Sequence, residues 1–407
     1  MTTESVQKNI IIVGGGIIGC TTAYFLTRHP SFNPSLHKIT VLEATAIASG
    51  ASGKAGGLLA LWAYPSSIVP LSYKLHAELA KEHGGAERWG YRTLHCGSIS
   101  AKGKDYHATS NSSEIKGNKA EWQKLPKTDR KGALQGLPKD LDWFDDSITS
   151  FAEMGTPSTT AQVHPYLFTT SMADLAIAAG AKVILGSVTA IDHTDGVKSV
   201  TYEDKATKSI NTLPATDVIL AAGPWTSHVF PAAPIEATRA HSVVVKADVS
   251  PWAVFTEIEL PRGFGAEGKG KGRKHGMLVA PEMYARPDGT VYACGEGDTL
   301  VPLPKTSDLV FCDEEKCQDI IAYCGSISTA MREGPVLTKQ ACYLPSVTGA
   351  GGPLIGQTGI KGLLIASGHT CWGIQNSCAT GKLMSEFVFE GGAKSARVEG
   401  LDPRRVL

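Results

Sequence analysis

Gly14, Gly16 and Gly19, followed 24 positions after the last of them by Glu43, are the residues whose types and spacing point most directly to chemistry. Together they match the fingerprint of a dinucleotide-binding turn. The first glycine permits the tight turn, the second lets a pyrophosphate approach the backbone, and the third lets helix and strand pack closely. The pyrophosphate would rest on free N–H groups at a helix N-terminus, where the dipole favours negative charge. Glu43 stands close to the spacing at which an acid accepts both ribose hydroxyls, so an adenosine ribose without a 2′-phosphate is favoured. A glycine-rich turn between two core elements would carry the same glycines; only the flanking elements separate the two readings.

Those elements read as strand, turn, helix, strand, acid. Ile10-Ile11-Ile12-Val13 is a β-branched run of the kind found in parallel strands buried on both faces. A helical pattern covers residues 20–28, and Ile39-Thr40-Val41-Leu42 is a second strand ending at Glu43. Residues 48–59 are small ones around a single lysine, Lys54, a stretch suited to close approach of backbone to a flat ligand. A helix is expected over 70–83 and a strand over 91–101. Residues 102–140 turn polar and read as a surface excursion, with Trp143 and Phe144 anchoring its return to a core. Beyond it come a helix over 167–180 with Gly180 at its end, a strand over 182–188 and a hairpin turn at Asp195-Gly196. A buried strand, 218–220, then runs into Ala221-Ala222-Gly223-Pro224-Trp225. Another strand covers 239–245, residues 263–276 form a loop, and antiparallel strands flank Asp288-Gly289. A helix is expected over 307–326. Near the end, the strand 363–366 leads into Gly368-His369-Thr370-Cys371-Trp372-Gly373-Ile374 and a helix to about residue 390.

The bulk composition excludes several classes. At 407 residues the chain is too long for one core, so two domains or one large composite are expected. Lys plus Arg equals Asp plus Glu at 39 each, so nothing argues for nucleic acid or an anionic surface as partner, and neither is expected. Nine scattered cysteines with no apolar signal segment ahead of them fit free thiols in a reducing compartment. Cys312, Cys317 and Cys324 match no zinc spacing, and no metal site is expected. No apolar run is long enough to span a membrane. The last residues match no peroxisomal tripeptide, and the expected location is cytoplasmic.

The glycine turn, Glu43 and the loop at 49–58 resemble the N-terminal half of the D-amino-acid oxidase and glycine/sarcosine oxidase family of FAD enzymes. The C-terminal stretch 368–374 resembles that family's flavin signature, and the likeness covers nearly the whole chain apart from 102–140. It implies an α/β fold: a Rossmann-like FAD-binding domain, discontinuous in sequence (1–90, 151–235 and 345–407), and a substrate domain on a mostly antiparallel sheet (91–150 and 236–344). It also implies cofactor contacts. These fall at Gly14, Gly16, Ile17, Ile18, Gly19, Glu43 and Ala44, and at Ser49, Ser52, Gly53, Lys54, Ala55, Gly56, Gly57 and Leu58 beside the ring. Val188 would meet the adenine, Ala222, Gly223 and Trp225 the adenosine end, and Gly368, Gly373 and Ile374 the pyrimidine end of the ring. Lys54, Tyr284, Arg286 and His369 are the catalytic candidates, although a buried histidine or tyrosine is as often plain packing.

A member of this family oxidises a C–N bond. The neutral amine presents its α C–H to flavin N5, hydride passes to the ring, the imine hydrolyses, and oxygen takes the electrons to give hydrogen peroxide; the protein orients and stabilises. FAD is expected to be held without a covalent bond, while Cys342 lies near the position where sarcosine-oxidase-like members form a thioether. One departure stands out. Amino-acid-oxidising members place an arginine before a proline to grip the substrate carboxylate, and here Leu344 precedes Pro345. Leucine cannot form a bidentate clamp and disfavours a buried carboxylate. Three readings follow: Lys54 or Arg286 supplies the charge, the substrate is an amine without that carboxylate, or turnover has been lost. Two alternatives to an oxidase stay open, an FAD dehydrogenase with another acceptor and a flavin-binding interaction protein.

Overall fold

The β-branched run near the N-terminus behaves as its composition requires: Ile10, Ile11, Ile12 and Val13 are all buried, with a neighbour on each side. The computed structural model describes residues 7–106, 137–265, 276–349 and 351–407. Lys8–Val13 sits inside an eight-stranded sheet whose order is Ile210–Pro214, Ser199–Asp204, Lys182–Asp192, His37–Glu43, Lys8–Val13, Asp217–Leu220, Leu363–Ser367, Leu354–Gln357. The five strands from Lys182–Asp192 to Leu363–Ser367 run parallel, and the outer ones are antiparallel. Helices Ile17–Leu26, Pro165–Ala178 and Gly373–Glu390 cover one face and enclose the largest core, which includes Ile10, Ile12, Phe168 and Leu383.

A second sheet, also eight-stranded, has the path Val336–Val347, Ile235–Lys246, Thr290–Cys294, Glu282–Ala285, Trp252–Glu259, His95–Lys102, Ile148–Gly155, with Leu278–Val279 paired on Trp252–Glu259. Apart from the parallel pair Trp252–Glu259 and His95–Lys102, every pairing is antiparallel. Its core holds Trp252, Met283, Val254 and the stacked pair Trp143 and Phe144. Ile148–Gly155 and Val336–Val347 belong to this sheet, so it reaches beyond boundaries drawn at residues 150 and 344. A small third sheet joins Leu58–Ala60, Thr160–Gln162 and Arg92–Thr93.

Several local expectations need correction. The first helix starts at Ile17 rather than at residue 20, because Gly16 in extended backbone already caps it. Residues 49–58 are not all loop: Ala51–Lys54 makes one helical turn and a strand begins at Leu58. The stretch expected as one strand over 91–101 is split between two sheets at Leu94. The helix expected over 307–326 is a short 3₁₀ turn, Ser307–Leu309, followed by the helix Glu314–Gly325. There Asp313 accepts the Glu315 N–H as N-cap, and Glu314 and Glu315 complement the dipole of the first turn. Asp195 and Gly196 both adopt left-handed backbone in the turn between Lys182–Asp192 and Ser199–Asp204. Most of the polar stretch 102–140 and of the loop 263–276 lies outside the described residues.

Candidate active site

The glycine turn is built by close backbone contact. A Cβ on Gly14, whose φ is +113°, would lie 2.5 Å from the Ala221 carbonyl oxygen; one on Gly19 would lie 2.0 Å from that of Gly14. Gly19 therefore lets the helix Ile17–Leu26 lie directly on the turn. Its N-cap, Gly16, has no side chain to cap it, and its first N–H to bond back is that of Cys20, to Gly16 at 3.0 Å. Ser52 Oγ accepts the Ile17 N–H at 2.9 Å. The Glu43 carboxylate braces the other side, accepting the N–H groups of Gly15 at 2.7 Å and Thr45 at 2.8 Å. Hydroxyls of Thr45, Ser49 and Ser307 converge beside it, 2.6 to 2.7 Å apart.

An elongated cavity runs along the carboxyl ends of the parallel strands, the usual position for a ligand in such a sheet. Of the residues expected at a cofactor, Gly14, Gly16, Ile17, Ile18, Glu43, Ala44, Ser49, Ser52, Ala55, Val188, Ala222, Gly223, Trp225, Gly373 and Ile374 line it, as does His369. Gly19, Gly53, Lys54, Gly56, Gly57, Leu58 and Gly368 do not line it, nor do Tyr284, Arg286 and Cys342. The wall also takes in Lys305, Thr306 and Ser307 from the chain leaving the second sheet, held by the Trp225 indole N–H donating to Pro304 at 2.6 Å. Nothing local in the sequence marks 305–307 as a lining segment; it arrives there only by tertiary packing.

Leu344 and Pro345 also line the cavity. Their strand shows one face toward residues 54–57, and the register identifies what shares it. Gln340, Ser242, Cys294, Glu282 and Phe255 form one row across the sheet, and Thr238 and Leu344 lie farther along. Alternation puts Tyr284 and Arg286 on the same face as Glu282. A Cβ on Gly56 would fall 2.2 Å from the Tyr284 ring, so only glycine admits this contact. The two candidate cations of this region are engaged with backbone: Lys54 Nζ donates to Ala341 O at 3.0 Å and Arg286 Nη2 to Ala55 O at 2.9 Å.

His369 is buried, with Nε2 3.0 Å from Thr380 Oγ1, and burial pushes its pKa down to about 3. His76, also buried, donates Nε2–H to Ile374 O at 2.9 Å and is pushed down to about 4 by burial. Both rings are neutral in the folded protein, whereas the unfolded chain binds a proton on each near pH 6.5. Stability is thus intact above that pH and falls as pH drops below it. At pH 5 each ring withdraws up to about 2 kcal/mol. Urea midpoints measured from pH 7.5 to 5 should fall, less steeply in His76→Gln or His369→Asn; a flat profile in the unmodified chain would refute this.

The glycine turn, the helix N-terminus beside Ser52 and the Glu43 carboxylate thus meet at one wall of the cavity. The family profile described as FAD dependent oxidoreductase matches residues 9–387. The chain belongs to this family of FAD-dependent oxidoreductases. The enzyme is 36% identical to the Saccharomyces cerevisiae protein TDA3, over 98% of this chain and 94% of that one. It is 35% identical to a Schizosaccharomyces pombe protein, over 98% and 99% of the two chains. Both relatives carry provisional oxidoreductase names. Among solved structures, glycine oxidase from Bacillus cereus superposes with a TM-score of 0.67 at 20% identity over 95% of each chain. L-proline dehydrogenase from P. horikoshii gives 0.68 at 18% identity over 98% of each. Both share the α/β fold. Among the described residues, no helix is long and apolar enough to cross a membrane.

Proposed function

We propose that the enzyme oxidises the C–N bond of a small amine, with oxygen as acceptor and hydrogen peroxide as product. The carrying observation is that Leu344, not a cation, lines the cavity before Pro345, while Lys54 and Arg286 serve backbone carbonyls. A substrate carboxylate would have no bidentate partner there, so an amine without that carboxylate fits better. FAD, when bound, supplies the hydride acceptor. Gly14, Gly16, Ile18 and Glu43 would hold its diphosphate and ribose, and the uncapped N-terminus of Gly373–Glu390 would favour negative charge at the other end. The buried, neutral His369 adds no competing charge to the cavity wall. The flavin is held without a covalent bond on this reading. In support, Cys342 is off the cavity wall and burial pushes its thiol up to about 11.

Anaerobic mixing of the yellow protein with paired substrates, each amino acid beside its decarboxylated amine, tests the proposal. Amines should bleach the flavin, and air should restore the colour with release of peroxide. Bleaching by amino acids alone, or by nothing, would end it. Acid precipitation should leave the flavin in the supernatant.

A further inference from the structure

We infer that the compartment beneath the second sheet binds an organic ammonium group, with Glu282 as its counter-charge and a wall of aromatic rings around it. This rests on the amine-oxidase reading above and names its substrate class: an amine that carries a second, charged nitrogen.

Glu282 is half-buried on the face that looks toward residues 54–57. Its carboxylate takes a short hydrogen bond from the Tyr284 hydroxyl and a weak one from Cys294 Sγ at 3.9 Å. Both donors are neutral. Among the described residues no Lys, Arg or His pairs with it. Burial raises its pKa, as expected for a carboxylate left without a cation. A desolvated carboxylate of this kind is costly unless something positive meets it.

The surroundings suit a cation. Tyr284 stands 6.0 Å from Phe255, the cross-strand partner of Glu282; Phe255 is 6.0 Å from Trp62, and Trp62 is 5.4 Å from Trp372. Tyr284 is buried, Phe255 and Trp372 pack half-buried against its cluster, and Trp62, 37% exposed, opens the row of rings toward solvent. Aromatic faces beside a carboxylate recognise ammonium groups. The wall joins the flavin cavity through Thr370 and Cys371, which line that cavity immediately before Trp372.

The sign of the charge selects the nitrogen. An amine donates hydride from its α-carbon only when its own nitrogen is neutral, and a carboxylate beside that nitrogen would hold it protonated. Glu282 is therefore suited to the other nitrogen of the molecule, which stays charged and fixes the reacting end at a set distance. Leu344 lies about 13 Å along the strands from the Glu282 row and three strands across the sheet, with Cys342 and Ala240 between them on the same face.

The test uses the FAD-loaded protein and tetramethylammonium, a cation that has no lone pair and cannot be a substrate. Titration should change the tryptophan fluorescence, with binding weakened at least tenfold in Glu282→Gln and retained in Glu282→Asp, while butyrate does not bind. Equal binding to wild type and Glu282→Gln, no binding to wild type, or tighter binding of butyrate would overturn the inference. Because the probe is not oxidised, this readout stands even if no amine bleaches the flavin. That result would sink the oxidase proposal by itself.

Discussion

Gly19→Ala should leave a folded chain that cannot keep its flavin. Alanine is the better helix former by about 1 kcal/mol, so propensity alone predicts a more stable helix. The contact decides otherwise. The added methyl would sit 2.0 Å from the Gly14 carbonyl oxygen, a backbone atom with no flexible end to move. Helix and turn must separate, at a cost of about 1–3 kcal/mol of packing. The separation also moves the helix N–H groups away from the position of the diphosphate. We expect FAD affinity to fall about 100-fold, roughly 2.7 kcal/mol. Flavin content after purification and titration of the apoprotein both report it. Gly392→Ala, with nothing within 4 Å of the added atom, is the control and should stay fully yellow. A Gly19→Ala protein with full flavin occupancy would show that the turn does not carry the cofactor.

Asp298→Ala should destabilise the protein by about 3–5 kcal/mol, the usual result of stripping one partner from a buried ion pair. Arg239 is 1% exposed, and its guanidinium reaches Asp298 through Nε at 3.3 Å and Nη2 at 3.1 Å. Lys316 adds a second cation at 3.2 Å. Among the described residues, removing the carboxylate leaves the Arg239 side chain with only the Phe311 carbonyl as acceptor, at 3.2 Å. The same aspartate accepts the Leu300 N–H, so it also anchors the segment that leads to Pro304 and the cavity-lining residues 305–307. Flavin affinity should therefore drop along with the denaturant midpoint. Pairing Asp298→Leu with Arg239→Met removes the stranded charge and should recover most of the stability. If Asp298→Ala costs less than about 1 kcal/mol, the pair is not the clamp described here.

Glu282 illustrates why part of the site was hidden in the sequence. It stands beside Met283 in an ordinary alternating strand, and nothing nearby marks it as a ligand. Its meaning comes from Cys294 and Phe255 on neighbouring strands and from Trp62 and Trp372, which lie outside that sheet. The same holds for Ser307, which meets Thr45 across a separation of 262 positions in the chain. The helix expected over 307–326 failed for a related reason. Its cysteines and apolar residues carry a helical period, but Asp313 caps a later start, and Ser307–Leu309 is drawn away to the cavity wall beside Thr45.

What the sequence determined alone was the local grammar. The β-branched run, the glycines at 14, 16 and 19, and Glu43 at the end of the next strand dictate a β–α–β unit, because strand, turn and helix preferences act over a few residues. The Asp195-Gly196 turn was legible for the same reason, as was Gly180 near the helix end, although the helix runs Pro165–Ala178 rather than 167–180 and Ala179 stands at its cap. Only the tertiary structure decided which side chains face one another. Strand register across the second sheet sets Leu344 opposite Thr238 and Glu282 opposite Phe255, pairings fixed by burial of whole sheet faces rather than by any neighbour in the chain. The glycine turn was therefore readable from short-range pattern, whereas the charge and shape of the face beneath the second sheet emerge only when distant strands lock into register.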